Sequence, residues 1–513
     1  PGIGDTLTVT HGTRYTYDVE GHPRRWAILG VLCVSLFVVV LDNTVLNVAI
    51  PSLSNDLHTS TAEVQWVIDA YSLVFGGLLL SSGTMSDTYG RKRGFVAGLL
   101  VFGAASLACA FAPTTSWLIA ARALLGLGGA LLMPGTLSIL INVFPARERV
   151  KAMSVWGGMS ALGMAAGPIL GGVLVEHFWW GSVFLLNVPV VAVATVVAVR
   201  LLPESRDPVA RRADIVGALL STGFMTSLVY AVISSPAHGW SSTDVLSAVT
   251  LTGAFGVAFL WWERRTDHPM LDFAILGQRR FIGAAVAGTL LLFTFGGASF
   301  LVTQQLQFVL GLSPLAAGLR MLPLVAAVIV GAVLSEPLTR RVGGRVLVFV
   351  GLTIVSLGLA YFALSGRGGG YSRVVVTFLG VGFGAGLALA PASEALLGAI
   401  PVERAGLGSA LNDMVQEIGI ALGVALLGAL VSTGYRANLP ADAPPGAREG
   451  LGTALMLNHP GLAAVARNAF EDGAAVAMGV AAGIAFLAAC VAAWLLPAGL
   501  GQESERAAET MSA

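Results

Sequence analysis

Apolar runs of roughly 17–25 residues, the length that crosses a hydrocarbon core about 30 Å thick, recur about fourteen times along this chain. They lie near 26-50, 62-82, 94-112, 116-140, 149-173, 180-202, 213-234, 244-262, 281-310, 315-337, 346-364, 374-399, 405-432 and 473-496. In a bilayer each backbone polar group must find its partner inside the protein, so runs of this length fold as helices. Over 513 residues the chain is 55% hydrophobic and only 11% charged, with a mean hydropathy of +0.80. That composition excludes a soluble domain of this size and predicts an all-α integral membrane protein.

Orientation is read from the basic residues. With a cytoplasmic N-terminus, most of the 29 Lys and Arg fall in the loops and tails of one side, among them Arg24-Arg25, Arg91-Lys92-Arg93, Arg211-Arg212, Arg264-Arg265, Arg279-Arg280 and Arg340-Arg341. The other side holds Arg367, Arg373, Arg436, Arg448 and Arg467, and this asymmetry predicts that both termini are cytoplasmic. The formal net charge of zero hides this sorting. The basic loops read as topology determinants and contacts for anionic membrane lipids, not as a nucleic-acid site. No cleavable signal is expected, since polar residues precede Arg24 and the run after it is long enough to span. Cys33, Cys109 and Cys490 all fall within spans, so neither a disulfide framework nor a metal site is expected.

Polar residues inside such spans are costly, about 2.5–3.5 kcal/mol for an Asp at mid-membrane on insertion scales, and mark functional positions. The first span carries Leu41-Asp42-Asn43-Thr44-Val45-Leu46-Asn47, and the second carries Asp69. Counting 1.5 Å per residue, Asp42 and Asp69 fall at nearly the same depth in the outer half. Arg122 on the fourth span reaches that depth too, which favours pairing with one of the two carboxylates. Asp69 as an interfacial carboxylate and Arg122 snorkelling to the outer surface remain alternatives. Between spans 2 and 3, Gly83, Asp87, Gly90 and Arg91 belong to a short basic turn. Span 5 carries Gly163, Gly167, Pro168 and Gly171, a smooth face with a kink that suits either a rocking helix or a packed one.

These stretches together resemble the major facilitator superfamily, and more narrowly its fourteen-span drug:proton antiporters. Gly83 to Arg93 is similar to the family's loop motif, Arg122 to Ala130 to its fourth-span motif, Gly163 to Gly172 to its fifth-span motif, and Leu41 to Pro51 to the first-span motif of that branch. The resemblance implies two six-helix halves, at 24-202 and 280-498, with two extra spans and linkers at 203-279. Polar cytoplasmic tails at 1-23 and 499-513 and an extracellular loop at 433-472 complete the division. An internal echo supports the two halves: Gly126 to Arg149, with Pro134 and Pro145, recurs as Gly382 to Arg404, with Pro391 and Pro401. The role of spans 7 and 8 is left between packing and lipid contact.

Span 13 carries Asp413 and Glu417, four apart and therefore on one helix face. Quaternary-ammonium exporters resemble this chain in having two acids here, although the acid they carry midway along span 10 is replaced by Leu324-Val325-Ala326-Ala327-Val328. A polar helix contact, or Arg404, is the alternative facing for both acids. The seven histidines all fall in tails or loops, so proton coupling would use carboxylates.

The expected function is therefore multidrug efflux by proton antiport from the bacterial inner membrane. The expected arrangement has Asp42 and Asp69 loading protons beside Arg122. Asp413 and Glu417 would bind the positive centre of a lipophilic cation, with Trp66, Tyr71, Asn47 and Phe293 lining its path. The expected partners are small lipophilic molecules, protons and membrane lipids, with the chain a monomer and the proton gradient replacing any cofactor. Export of an endogenous antibiotic, lipid or metabolite is an alternative, as is a non-transporting membrane sensor. No nucleotide loop, metal spacing or placed nucleophile points to an enzyme.

Overall fold

The computed structural model of the chain describes residues 22–205, 214–266, 277–400, 405–457, 459 and 461–497; side chains at 87, 146, 147, 150, 154, 161, 405–407 and 409 lie outside that description. Fourteen helices are long and apolar enough to cross a membrane, and no strand occurs among the described residues. The main helices of these spans, the sixth preceded by the turn Ser182–Leu185 and the tenth by Pro314–Arg320, are α1 (Arg25–Leu57), α2 (Thr61–Tyr89), α3 (Arg91–Ala110), α4 (Thr115–Val143), α5 (Ala146–His177), α6 (Asn187–Leu201), α7 (Ile215–His238) and α8 (Thr243–Glu263). The series continues with α9 (Arg279–Gln304), α10 (Leu322–Val342), α11 (Gly344–Leu364), α12 (Gly370–Leu397), α13 (Ala405–Asn438) and α14 (Leu462–Leu495).

Local chemistry sets the turns between them. After α1, His58 adopts a left-handed conformation (φ 53°), and the Ser60 hydroxyl accepts from the Glu63 N–H while Glu63 accepts from the Ser60 N–H. This reciprocal cap reverses the chain within three residues. Gly90, between α2 and α3, has φ 119°, and Gly343, between α10 and α11, has φ 86°. A side chain at either would be strained, so both turns use a backbone conformation that favours glycine.

The same helix pairs pack in both halves: α1 on α5, α2 and α3 on α4, α3 on α6, and correspondingly α9 on α13, α10 and α11 on α12, α11 on α14. This is the two-fold repeat that the sequence echo predicts. Small residues make the approaches close. A Cβ at Gly167 would fall 1.9 Å from the Thr44 hydroxyl, and one at Gly126 would fall 2.5 Å from the Tyr71 carbonyl oxygen.

The halves meet along two seams, α2 against α13 and α5 against the turn of helix Pro314–Arg320 that precedes α10. Hydrogen bonds between the halves cluster at one end of the bundle. Gln65 Nε2 donates to the Val424 and Ala425 carbonyls (both 2.9 Å), Gln307 Nε2 donates to the Val48 carbonyl (2.9 Å), and the Ser313 hydroxyl donates to Glu176 (2.8 Å). Toward the other end, Met153, Val155, Gly157 and Gly158 of α5 are exposed, and a Cβ at either glycine would meet nothing within 4 Å. The molecule is sealed at one end and splayed at the end where α1 begins. The extra helices are not equivalent. α7 fills the groove between α2 and α13 through Val229 and Ile233 against Leu73, Ala421 and Ala425, whereas α8 packs chiefly on α7 and exposes Leu246, Val257 and Trp261.

Helices extend into the stretch 433-472 from both sides, leaving 439–461 between α13 and α14. Gly434 to Asn438 continue α13, and Ala463, Ala464, Ala466 and Ala469 favour an early start to α14 despite the polar neighbours that suggested a loop. The intervening segment seats between the halves, where the Thr61 N–H donates to the Glu449 carbonyl (3.3 Å).

Candidate functional site

Three helices of the first half converge on one buried polar group. Arg122 of α4 pairs through Nη1 with Oδ2 of Asp42 on α1, each side chain 1% exposed. The guanidinium Nε donates to the Val67 carbonyl (3.0 Å) and its plane lies over the Tyr71 ring at 4.7 Å. Asn187 of α6 donates from Nδ2 to the other carboxylate oxygen of Asp42 (2.9 Å) and to the Ser106 hydroxyl (3.4 Å). The glycines of α4 permit this arrangement, because α4 must lie close against α2 for Arg122 to reach the Val67 carbonyl. Asn187 escaped the sequence reading; its signal was an amide within the sixth apolar run.

Asp69 does not join Asp42 and Arg122, although it shares their depth. It is 0% exposed, and neither carboxylate oxygen has a hydrogen-bond partner. Its position on α2 explains the separation. Gln65, Asp69, Ser72 and Gly76 form one stripe at helical spacing, and that stripe faces α13: Gln65 bonds Val424 and Ala425, while a Cβ at Gly76 would lie 3.3 Å from Cβ of Glu417. Asp69 therefore sits in the seam between the halves. Arg122 reaches the neighbouring face of α2, through Val67 and Tyr71.

Asp413 and Glu417 are partly exposed on α13, toward the splayed end from the Gln65 contact. The Asn412 amide approaches Asp413 Oδ1 at 3.4 Å, and Glu417 Oε2 has no hydrogen-bond partner. Neither acid forms an ion pair among the described residues, and Arg404 lies outside them. The aromatic residues expected along the cation's path all make packing contacts. Trp66 lies against Tyr230 of α7 (6.1 Å between ring centroids), Tyr71 is 0% exposed beneath Arg122, and Phe293 is buried in the core. Asn47 is partly exposed and donates to the Asn43 carbonyl (3.3 Å).

The motif residues serve the close contacts. A Cβ at Gly83 would lie 3.3 Å from Pro134, one at Gly90 2.4 Å from Glu204, and the Arg91 N–H donates to the Ser205 carbonyl (3.0 Å). The Asp87 side chain lies outside the described residues. Gly163, Gly167 and Gly171 receive Val40, Thr44 and Val45 of α1, while a Cβ at Gly318 in the Pro314 turn would fall 2.0 Å from the Pro168 carbonyl oxygen. One helix thus packs on its own half and on the opposite one. Arg320 lies over the Tyr371 ring (5.1 Å), and Glu336 pairs with Arg340 (2.7 Å) in the open.

The sequence profile of the Major Facilitator Superfamily matches residues 32–424. The chain belongs to the major facilitator superfamily. It is thus a multi-pass membrane transporter, not an enzyme, and its bacterial relatives place it in the inner membrane. This transporter is similar to the multidrug efflux pump LfrA of Mycolicibacterium smegmatis, at 34% identity over 92% of the chain and 98% of LfrA. It is also similar to the methyl viologen resistance protein SmvA of Salmonella typhimurium, at 35% identity over 81% of the chain and 84% of SmvA. Among solved structures, an inward-facing, unoccupied bacterial homologue of the human lysosomal transporter Spinster shares the fold, with a TM-score of 0.64 over 92% of this chain and 97% of that one at 18% identity. With these relatives, the facilitator is an efflux transporter for small molecules.

Proposed function

We propose that the chain is a proton-coupled antiporter that exports lipophilic cations by alternating access. The observation that carries this reading is the pair Asp413 and Glu417, partly exposed at the splayed side of the α2–α13 seam with no ion-pair partner among the described residues. A cation reaching the seam finds two carboxylates on one helix face. The names of the similar pumps support a drug-like cargo.

Protons are carried by Asp42 and Asp69. Protonation of Asp42 releases Arg122 from its ion pair, and Asn187 retains the carboxyl group in place. Asp69 stands where the halves separate when the sealed end opens, so alternation itself brings it into contact with water. With the basic loops inside, the splayed end faces the cytoplasm, and the state described is the one that loads cargo. Moving one positive charge outward against 100 mV costs about 2.3 kcal/mol, which exchange for two protons more than offsets.

Equilibrium binding of tetraphenylphosphonium to the purified transporter tests the cation site. Asp413→Asn and Glu417→Gln should each weaken binding at least about tenfold, and the effect should be reproduced at high salt, since the site lies inside the bundle. Unaltered affinity in both variants would remove the cation from span 13.

A further inference from the structure

The second half contains a buried polar group that answers to the one around Arg122 but with its parts exchanged. In the first half the arginine is on the fourth helix, the acid on the first and the amide on the sixth. In the second half Arg373 is again on the fourth helix, α12, but the acid is Glu471 on the sixth, α14, and the amide is Gln305, at the end of the first, α9. Gln305 Nε2 donates to Glu471 Oε1 (2.9 Å), and Arg373 Nη1 stands 3.6 Å from the same oxygen. Arg373 is anchored by Nε and Nη2, which donate to the Phe362 carbonyl (2.9 and 2.6 Å). All three residues are buried.

Gln305 is also the first residue of a π-helical turn, Gln305–Val309, that ends α9. The Leu310 N–H donates to the Gln305 carbonyl (3.0 Å) across five residues. Such turns hold one residue more than an α-helix and are concentrated at functional positions. Two side chains of this turn seal the closed end. Gln307 donates to the Val48 carbonyl of α1 across the halves, and the Phe308 ring lies against Gly452, which also approaches Ser54. Arg467 of α14 holds the turn from behind, donating from Nε to the Phe308 carbonyl (3.0 Å).

We propose that the π turn Gln305–Val309 is the gate of the sealed end and that Glu471, positioned by Arg373, is its latch. Freed from Glu471, the turn relaxes to an α-helix. The residues beyond the lost bulge then rotate by about 100°, the angle per residue of an α-helix. That rotation withdraws Gln307 from Val48 and Phe308 from Gly452, which abuts Ser54 of the first half, and the halves part. Two buried atoms fit a group that must rearrange: Arg373 Nη1 and Gln305 Oε1 have no hydrogen-bond partner in the sealed state. Asp472, next along α14, is bound outward to Arg367 and does not compete for Gln305.

The inference rests on the alternation proposed above but not on the cargo or on protons, and its test needs neither. Hydrogen–deuterium exchange on the full chain in lipid nanodiscs would follow peptides covering 301–312 and 44–58, with 477–489 in the core of α14 as the control. In Glu471→Ala and in Gln305→Leu both outer segments should exchange at least about tenfold faster than in the parent while 477–489 stays protected. Glu471→Gln, which still accepts the Gln305 N–H, should stay within about threefold of the parent. Parent-level protection of 301–312 and 44–58 in both disruptive variants would overturn the proposal. It would equally be overturned if Glu471→Ala loosened 477–489 as well while Gln305→Leu changed nothing, since Glu471 would then serve folding alone. A chain that carries no cation but shows the predicted exchange would lose the export reading and keep the gate.

Discussion

At the scale of single residues, burial and partners separate Asp42 from Asp69, which the sequence grouped by depth, and set both apart from Glu417. Asp42 is held by a charge and an amide, Asp69 by nothing, and Glu417 only at the edge of the seam. Depth follows from counting residues, but the facing of a side chain depends on how its helix is rotated, which the neighbours set. That is why Arg122 was legible as the partner of one of the two carboxylates, whereas the choice of Asp42 over Asp69 and the part of Asn187 were not. Removing one member of a buried ion pair leaves an uncompensated charge and costs about 3–5 kcal/mol, more than removing both. Asp42→Ala and Arg122→Ala should therefore each lower the melting temperature in detergent more than the double variant does. A double variant as unstable as the sum of the two would show that the pair is not a unit. Asp69→Asn, nearly isosteric and without a partner to lose, should melt within a few degrees of the parent yet lose proton-driven efflux. Full coupling in that variant would remove Asp69 from the proton path.

At the scale of helices, the motif glycines act through the distances they permit. The stripe Gly163, Gly167, Gly171 was read as a smooth face, and it meets Val40, Thr44 and Val45 of α1 closely enough that no other side chain fits at Gly167. Gly167→Val should cost about 1–3 kcal/mol through overpacking, measured as loss of folded protein on heating; an unchanged melting curve would mean that α1 and α5 separate freely. Gly157, on the same helix, has open space in the splayed state. Gly157→Leu should melt like the parent but slow transport several-fold, because the added side chain must be accommodated when that end closes. Transport at the parent rate would show that this face of α5 never approaches the second half. The positions of these helices were legible from apolar length alone, and their ends were not. α13 and α14 run into the polar stretch 433-472 because alanines and internal hydrogen bonds outweigh the polar side chains there. The π turn left no mark in the apolar pattern, since one extra residue in a buried run changes neither its length nor its hydropathy.

At the scale of the whole molecule, the repeat of helix pairings gives two similar halves, and the uneven closure of their seams gives the transporter a sealed end and a splayed end. The fourteen spans, the two halves and the inserted pair were all legible in the sequence, because membrane thickness and the internal echo dictate them. The wedge formed by α7 between α2 and α13 was not, since nothing in an apolar helix states which groove it fills. Export of a lipophilic cation past Asp413 and Glu417, driven by an inward proton gradient, is tested most directly by tetraphenylphosphonium flux in proteoliposomes under an imposed pH gradient at zero potential, comparing the parent with Asp413→Asn/Glu417→Gln. Gradient-driven flux is expected in the parent, abolished when the gradient is collapsed and reduced at least about tenfold in the double variant. Flux that ignores the gradient, or that survives intact without the two carboxylates, would contradict it.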